Sequence, residues 1–297
     1  MIGSRQMARV VEKIEAAGAK LVLVGDARQL QPIDAGGAFR AITERVGAVE
    51  LTDIRRQHDE RDRQVVRDFR DGDAGKALES LRSRERIHIW KTLREAEISA
   101  VQNYLADVQA GKSCLLLAAT RSETRRLNEL ARHESRERGL IGEKFAIVQT
   151  ERGEREFAAG DRIVFLRNSR DLDVKNGTLG CVESVYRDGR ICVQLDDGTR
   201  REFSAAVYSH IDHGYALTVH KAQGVTVDRA HVVATEMTGR EWSYVAASRA
   251  REETRLYTTR EVAQEHDLAR SQLARDMARE HRKETTLDYQ SSKEHSR

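Results

Sequence analysis

The residues best suited to chemistry fall in three short segments. The first, YALTVHKAQGVT (Tyr215–Thr226), sets Thr218, His220 and Lys221 at the end of an apolar run, with Gln223 and Gly224 just beyond. A hydroxyl, an imidazole and an ammonium at a strand's carboxyl end suit contacts to phosphate and sugar. Gly224 permits close approach of backbone to a ligand. The second, LVLVGDARQLQPI (Leu21–Ile33), runs from four apolar residues into Asp26 and Gln29 and holds Pro32, the chain's single proline. In open α/β sheets the chemistry lies beyond the carboxyl ends of the strands, where Asp26 and Gln29 fall. The third, YVAASRAR (Tyr244–Arg251), puts Arg249 and Arg251 two residues apart near a helix end. Each has a plainer reading too: His220 as a satisfied core histidine, Asp26 as an incidental turn acid, the arginines as dipole partners on a solvated helix end.

These segments need a scaffold. Ser4 can cap a first helix with Met7, Val10, Val11, Ile14 and Ala17 on one face and Gly18 at its end. Leu21–Val24 reads as a strand buried on both faces, as in a parallel sheet. Helices over 38–45 and 61–69 flank a short strand at Val49–Thr52. A strand at Arg86–Trp90, a helix faced by Leu93, Ile98, Val101, Leu105 and Val108, a buried strand at Ser113–Ala119 and a helix over 123–138 follow. Such alternation predicts a three-layer α/β domain with a parallel sheet. Near Leu140 it stops. DRIVFL, GTLGCVESVY, RICVQL and TRREF, with hairpin signals at Asp188-Gly189 and Asp197-Gly198, predict an inserted antiparallel barrel of about five strands. Alternation resumes with strands at 216–219, 231–234 and 255–258 and a helix over 241–250. From Glu261 to about Thr285 a charged helix with few apolar residues (Val262, Leu268, Leu273, Met277) is expected to be solvated, and the last dozen residues disordered.

Composition excludes several classes. No run approaches the roughly eighteen apolar residues of a membrane span, and the N-terminus lacks a secretory pattern. Three cysteines without a CxxC pair argue against a disulfide framework or zinc knuckle, predict no metal site and fit a reducing cytoplasm. A net charge of +3 neither demands nor excludes nucleic acid. Gly111-Lys112-Ser113 looks like the end of a phosphate-binding loop, but the required first glycine is Ala106 and a helix precedes where a strand should. Gly111 reads better as a helix C-cap; Gly72-Asp73-Ala74-Gly75-Lys76 fails for the same reasons.

Taken in order, GDxxQLQPI, LTDIRRQ (Leu51–Gln57), TVHKAQG and YVAASRAR resemble the motifs of superfamily 1 helicases. The match is with the RecD-like branch, and within it the helicase half of TraA-type conjugative relaxases, over residues 1–260. GDRIVFLRNSRDLDVKNGTLGCV (Gly160–Val182), with Asn176-Gly177 at its turn, resembles the start of that branch's small barrel. The resemblance implies a RecA-like motor fold with a β-barrel insert. It divides the chain into 1–48 (remnant of a first RecA-like domain), 49–139 and 209–260 (second RecA-like domain), 140–208 (barrel) and 261–297 (charged helix and tail). It implies that Asp26 and Gln29 sense the γ-phosphate of ATP, that Arg56 contacts phosphate, and that Arg249 is an arginine finger. By the same likeness Thr218, His220 and Lys221 touch the backbone of single-stranded DNA, and Gln223 and Gly224 sit at the junction of the two sites. Thr226 departs from the pattern, where relatives carry an acid.

The family's phosphate-binding loop and magnesium-holding acids precede the GDxxQ motif, and no such loop occurs in these 297 residues. The resemblance thus implies a C-terminal motor fragment of a larger relaxase-helicase. ATP and Mg²⁺ would be used by the complete motor and held by neither loop nor acid here. The expected partners are single-stranded DNA, the first motor half and the relaxase domain, with no membrane. Two other readings stay open: a non-catalytic single-strand-binding module, and a remnant with Leu21–Val24 as an exposed apolar edge.

Overall fold

The computed structural model describes residues 2–30, 37–186, 188–264 and 267–281. Four helices come first: α1 (Ser4–Ala16), α2 (Ala38–Val46), α3 (Glu60–Asp71) and α4 (Ala74–Arg82). β1 (Ile87–Trp90), α5 (Leu93–Gln109), β2 (Cys114–Ala118) and α6 (Arg121–Glu137) alternate next. The all-β section holds β3 (Phe145–Thr150), β4 (Gly153–Ala158), β5 (Arg162–Phe165), β6 (Leu179–Val185), β7 (Arg190–Leu195), β8 (Arg200–Ser204) and β9 (Ile211–His213). After it come β10 (Ala216–Thr218), β11 (Val227–Val233), α7 (Arg240–Ala247), β12 (Ala250–Thr259), α8 (Arg260–Ala263) and α9 (Gln272–Ala278).

A parallel sheet in the order β1-β12-β11-β2-β10 forms the centre. Its middle strands are apolar because both faces are covered: Leu115 to Ala118 are at most 2% exposed. One face packs on α5 and α6 through Leu116, Tyr104 and Leu127; the other packs on α3, α4, α7 and α9 through Leu117, Leu78, Val245 and Leu273. Thr92 and Thr120 start α5 and α6 with complete capping boxes to Glu95 and Glu123, satisfying the first orphan donors of each helix. β2 and β10 are neighbours with Ala118 opposite Thr218. The start of α6 and the loop after β10 therefore open at the same end of the sheet.

The insert is an antiparallel sheet, β8-β7-β6-β5-β9, with the hairpin β3–β4 beside it. Phe157, Phe165, Ile191 and Phe203 fill its core. Both predicted hairpin turns form. Gly189 and Gly198 take φ of 82° and 85°, and the carboxylates of Asp188 and Asp197 accept from the backbone N–H two residues on, which holds each turn.

Several expectations are corrected. Leu21–Val24 forms no strand: it joins no ladder among the described residues, and Val22 and Val24 are 69% and 93% exposed. Val49–Thr52 is likewise unpaired, with Val49 and Leu51 each 95% exposed. An apolar run becomes a strand only where a neighbour offers hydrogen bonds, and the five-stranded sheet offers these two none. The cap of α1 is Gly3, with Ser4 already inside the helix, and only Met7 of its apolar face is buried. The expected barrel is an open antiparallel sheet, with no pairing between its edge strands β8 and β9 among the described residues, and its fifth strand, β9, lies past residue 208. The segment after Glu261 is broken into short helices whose Leu268, Leu273 and Met277 are buried in the main core, because α4 and α7 leave an apolar face for them to cover. Residues 282–297, with the expected disordered tail, and Pro32 lie outside the described residues.

Candidate functional site

The loop after β10 turns tightly. The N–H groups of Lys221 and Ala222 both donate to the Thr218 carbonyl, at 2.9 and 3.1 Å. Gly224 closes the turn at φ 92° with open space where a Cβ would stand. Thr218, His220, Lys221, Gln223 and Gly224 all line one groove of about 1080 Å³ between α6, the β3–β4 turn and the antiparallel insert. Arg121 and Arg125 from α6, Arg152 and Arg155 from the hairpin, and Lys221 give it five cations against Glu129 and Asp212. The Lys221 ammonium is held below its ordinary pKa first by burial and then by Arg152, with Asp212 opposing. An anion in the groove would relieve that cost. Asn128 completes the wall: its side chain amide exchanges hydrogen bonds with the N–H and carbonyl of Ala216, at 3.0 and 3.1 Å. This closes the free edge of β10.

Three distant segments meet at the groove's mouth through side chains alone. Gln223 Nε2 donates to Gln29 Oε1 at 3.0 Å, and Gln29 Nε2 donates to Asp26 Oδ2 at 3.1 Å. Tyr244 Oη donates to the same Asp26 oxygen at 2.8 Å. Burial and the Asp26 carboxylate push the Tyr244 hydroxyl up to about 12, so it stays a donor at neutral pH. Asp26 also accepts from the Arg28 N–H at 2.9 Å, which fixes the turn.

Behind this chain lies a pair of arginines. Arg249 is 2% exposed. Its guanidinium donates to the Val245 carbonyl at 2.9 Å and to Ser248 Oγ at 2.7 Å, with longer contacts to Val225 and Ala222 carbonyls. Arg56 Nη1 donates to the Ser248 carbonyl at 2.5 Å. Burial and the neighbouring Arg56 lower Arg249 to about 10; burial also lowers Arg56. No carboxylate among the described residues ion-pairs with either. Two half- or fully buried cations without an acid form a site in want of an anion. Arg249 does bond a helix-end carbonyl, as the dipole reading supposed, but in the interior and not on a solvated face. Arg251 is the exposed one and pairs with Asp228 at 3.3 Å.

The structure thus gathers Thr218, His220, Lys221, Gln223, Gly224 and Gln29 at one groove, and Asp26, Arg56 and Arg249 beside it. Tyr244, which opens the third segment, was given no role of its own, and Asn128, Arg152 and Arg155 were not foreseen. They come from elements far apart in sequence, and no local spacing marks them. As for metals, Asp107, Cys114 and His231 bring ligand atoms within 4.8 Å of one another. Asp107 already takes Arg229 and Arg255, whose charges oppose a cation, and burial raises the Cys114 thiol to about 12.

Residues 1–92 match the AAA domain family, and residues 213–257 match the UvrD-like helicase C-terminal domain. The conjugal transfer protein TraA of Agrobacterium fabrum is 42% identical over 99% of the chain, which spans 26% of that protein. The ATP-dependent RecD2 DNA helicase of Deinococcus radiodurans is 27% identical over 79% of the chain and 32% of its own length. Among solved structures, a Pif1 helicase from Bacteroides in complex with ADP-AlF3 and ssDNA aligns over 87% of the chain and 68% of its own, with a TM-score of 0.58 and 17% identity. At that identity the likeness speaks for the fold, which is RecA-like. No helix among the described residues is long and apolar enough to cross a membrane.

Proposed function

We propose, for a chain that is related to the RecD-like superfamily 1 helicases and to TraA conjugal transfer proteins, that it is the second motor half of an ATP-driven DNA translocase. The chain spans about a quarter of the TraA proteins it matches (26%), so activity and partners of the whole are part of this proposal. Single-stranded DNA lies in the cationic groove, its phosphates against Thr218, His220 and Lys221. Arg249 and Arg56 stabilise charge on the transferred phosphoryl group of ATP, a role worth several orders of magnitude in rate where an arginine finger is present. The observation that carries the reading is the position of Gln29. It lines the groove and also passes hydrogen bonds from Gln223 to Asp26 and Tyr244, so occupancy of the strand site and of the phosphate site bear on one side chain. The buried arginines fit a γ-phosphate. No described acid fits Mg²⁺ beside them, and these residues contain no phosphate-binding loop. That loop and its magnesium acids are assigned to a first motor half, whose strands would cover the bare run Leu21–Val24; a relaxase domain is a further partner. The cationic groove also fits the second reading, a strand-binding module without turnover, since it needs no nucleotide site.

Fluorescence anisotropy with a labelled oligothymidylate tests strand binding. Affinity should fall steeply with salt, about 0.7 log units per log unit for each phosphate neutralised. Lys221→Ala should weaken binding by roughly threefold to tenfold, the share of one phosphate, with an unchanged melting temperature. Absence of binding at low salt by the folded chain overturns the reading. ATP turnover by this chain alone would overturn the assignment of the missing loop.

A further inference from the structure

A second hollow adjoins the first. The main groove and a shallower trough of about 280 Å³ share Glu129, Arg155 and His213 in their walls. The trough adds Arg132, His133 and Arg136 from α6. Along one face of that helix Arg121, Arg125, Arg132 and Arg136 therefore succeed one another at intervals of four or seven residues, a stripe of roughly 22 Å at 1.5 Å per residue. From the joined hollows we infer that the trough is a second phosphate subsite for the same strand, entered where the strand leaves the main groove along α6. The inference rests on the strand-binding reading above.

The charges along the stripe have different freedoms. Arg121 and Arg125 are exposed and ion-pair with no described acid. Arg132 is fixed, reaching Asp161 at 3.1 Å and Glu156 at 3.3 Å with its side chain 16% exposed. Arg136 is 47% exposed and reaches Glu156 only at 3.6 Å. It shares that carboxylate with Arg132 and holds only the longer, more exposed contact to it. An exposed ion pair of this kind is worth little, and Arg136 can exchange it for a phosphate at small cost. His213, at the junction, has its Nε2 2.9 Å from the Glu156 carbonyl, and burial lowers its pKa. Burial thus favours its neutral form, so it lends the junction a wall more than a charge. Apart from histidines the trough has no aromatic ring to stack a base. The group it suits is the phosphodiester backbone, whatever the base sequence.

Length dependence tests this. Wild type and Arg136→Glu are titrated with labelled oligothymidylates of about six and about twelve nucleotides, lengths within the range of single-strand sites. Arg136→Glu should leave the short strand's affinity within about twofold. It should cut the long strand's advantage by about fivefold or more and lower its salt slope by about 0.7 for each phosphate no longer neutralised. Arg136→Gln should show the same pattern more weakly, and serves if the charge reversal fails to fold. An unchanged advantage for the long strand, or equal losses on both lengths, overturns the second subsite. Failure of wild type to bind even the short strand would instead strike at the main groove.

Discussion

Two apolar runs of the same kind meet opposite fates. LVLV (Leu21–Val24) and CLLLA (Cys114–Ala118) both read as interior strands of a parallel sheet. Cys114–Ala118 is hydrogen-bonded on both edges, to β11 and β10, and Leu115 to Ala118 are at most 2% exposed. Leu21–Val24 pairs with no described strand, and Val24 is 93% exposed. Composition states what a segment would gain from burial. Whether it gains it depends on a neighbour whose N–H and C=O groups can pair with its own. The sharpest way to break the contrast is to truncate each run. Leu117→Ala should cost about 2–5 kcal/mol of unfolding free energy, the range for a buried leucine. Val24→Ser should stay within about 0.5 kcal/mol, as for surface sites. Urea denaturation reads both; comparable losses would mean that Leu21–Val24 is packed after all.

The same physics explains how far the sequence could be read. Elements fixed by local pattern lie close to where they were expected: α5 and α6 follow β1 and β2, and the insert's hairpins turn at Asp188-Gly189 and Asp197-Gly198. Elements fixed by distant partners do not. β9 is three residues long, too short to show alternation, yet it forms an edge of the insert's sheet by pairing with β5. The thinly apolar stretch after Glu261 buries Leu273 and Met277 because of what α4 and α7 leave uncovered. At the site, the motif residues were legible because their chemistry sits in contiguous segments. Arg152, Arg155 and Asn128 were not, since only the folded topology brings them to the groove.

Acid offers a second, smaller probe. Burial lowers the pKa of His88, His213 and His231, against partial opposition from Asp161 at His213 and Asp107 at His231. All three lie in the central sheet or the insert's sheet, whereas residues 1–57 contain no histidine. An unfolded imidazole titrates near 6.5. The unfolded chain therefore takes up protons first as pH falls, and stability, full above about 6.5, declines toward the lower folded values. The urea midpoint should fall between about pH 7.5 and 5.5, and His213→Gln should flatten that fall. Hydrogen exchange of residues 21–30, corrected for its intrinsic pH dependence, should not follow it. A flat midpoint would mean that these histidines are protonated in the folded sheet at little cost.

The smallest effect concerns what holds the N-terminal segment to the motor. Tyr244 donates at 2.8 Å to an Asp26 oxygen that also accepts from Gln29. Little else along Ala19–Asp26 is tied by backbone hydrogen bonds. Tyr244→Phe keeps the ring and removes one donor, a loss of about 0.5–1.5 kcal/mol for a partly exposed hydrogen bond. Because the loss falls on local opening, trypsin should cleave after Arg28 about fivefold faster. The global urea midpoint, set by the core around β2, should barely move. The two regions would then be shown to open independently, with Asp26 as the hinge between them. A midpoint that falls as far as it does for Leu117→Ala would instead make the Tyr244 hydroxyl part of the α7 core, and the tether to Asp26 a by-product of that packing.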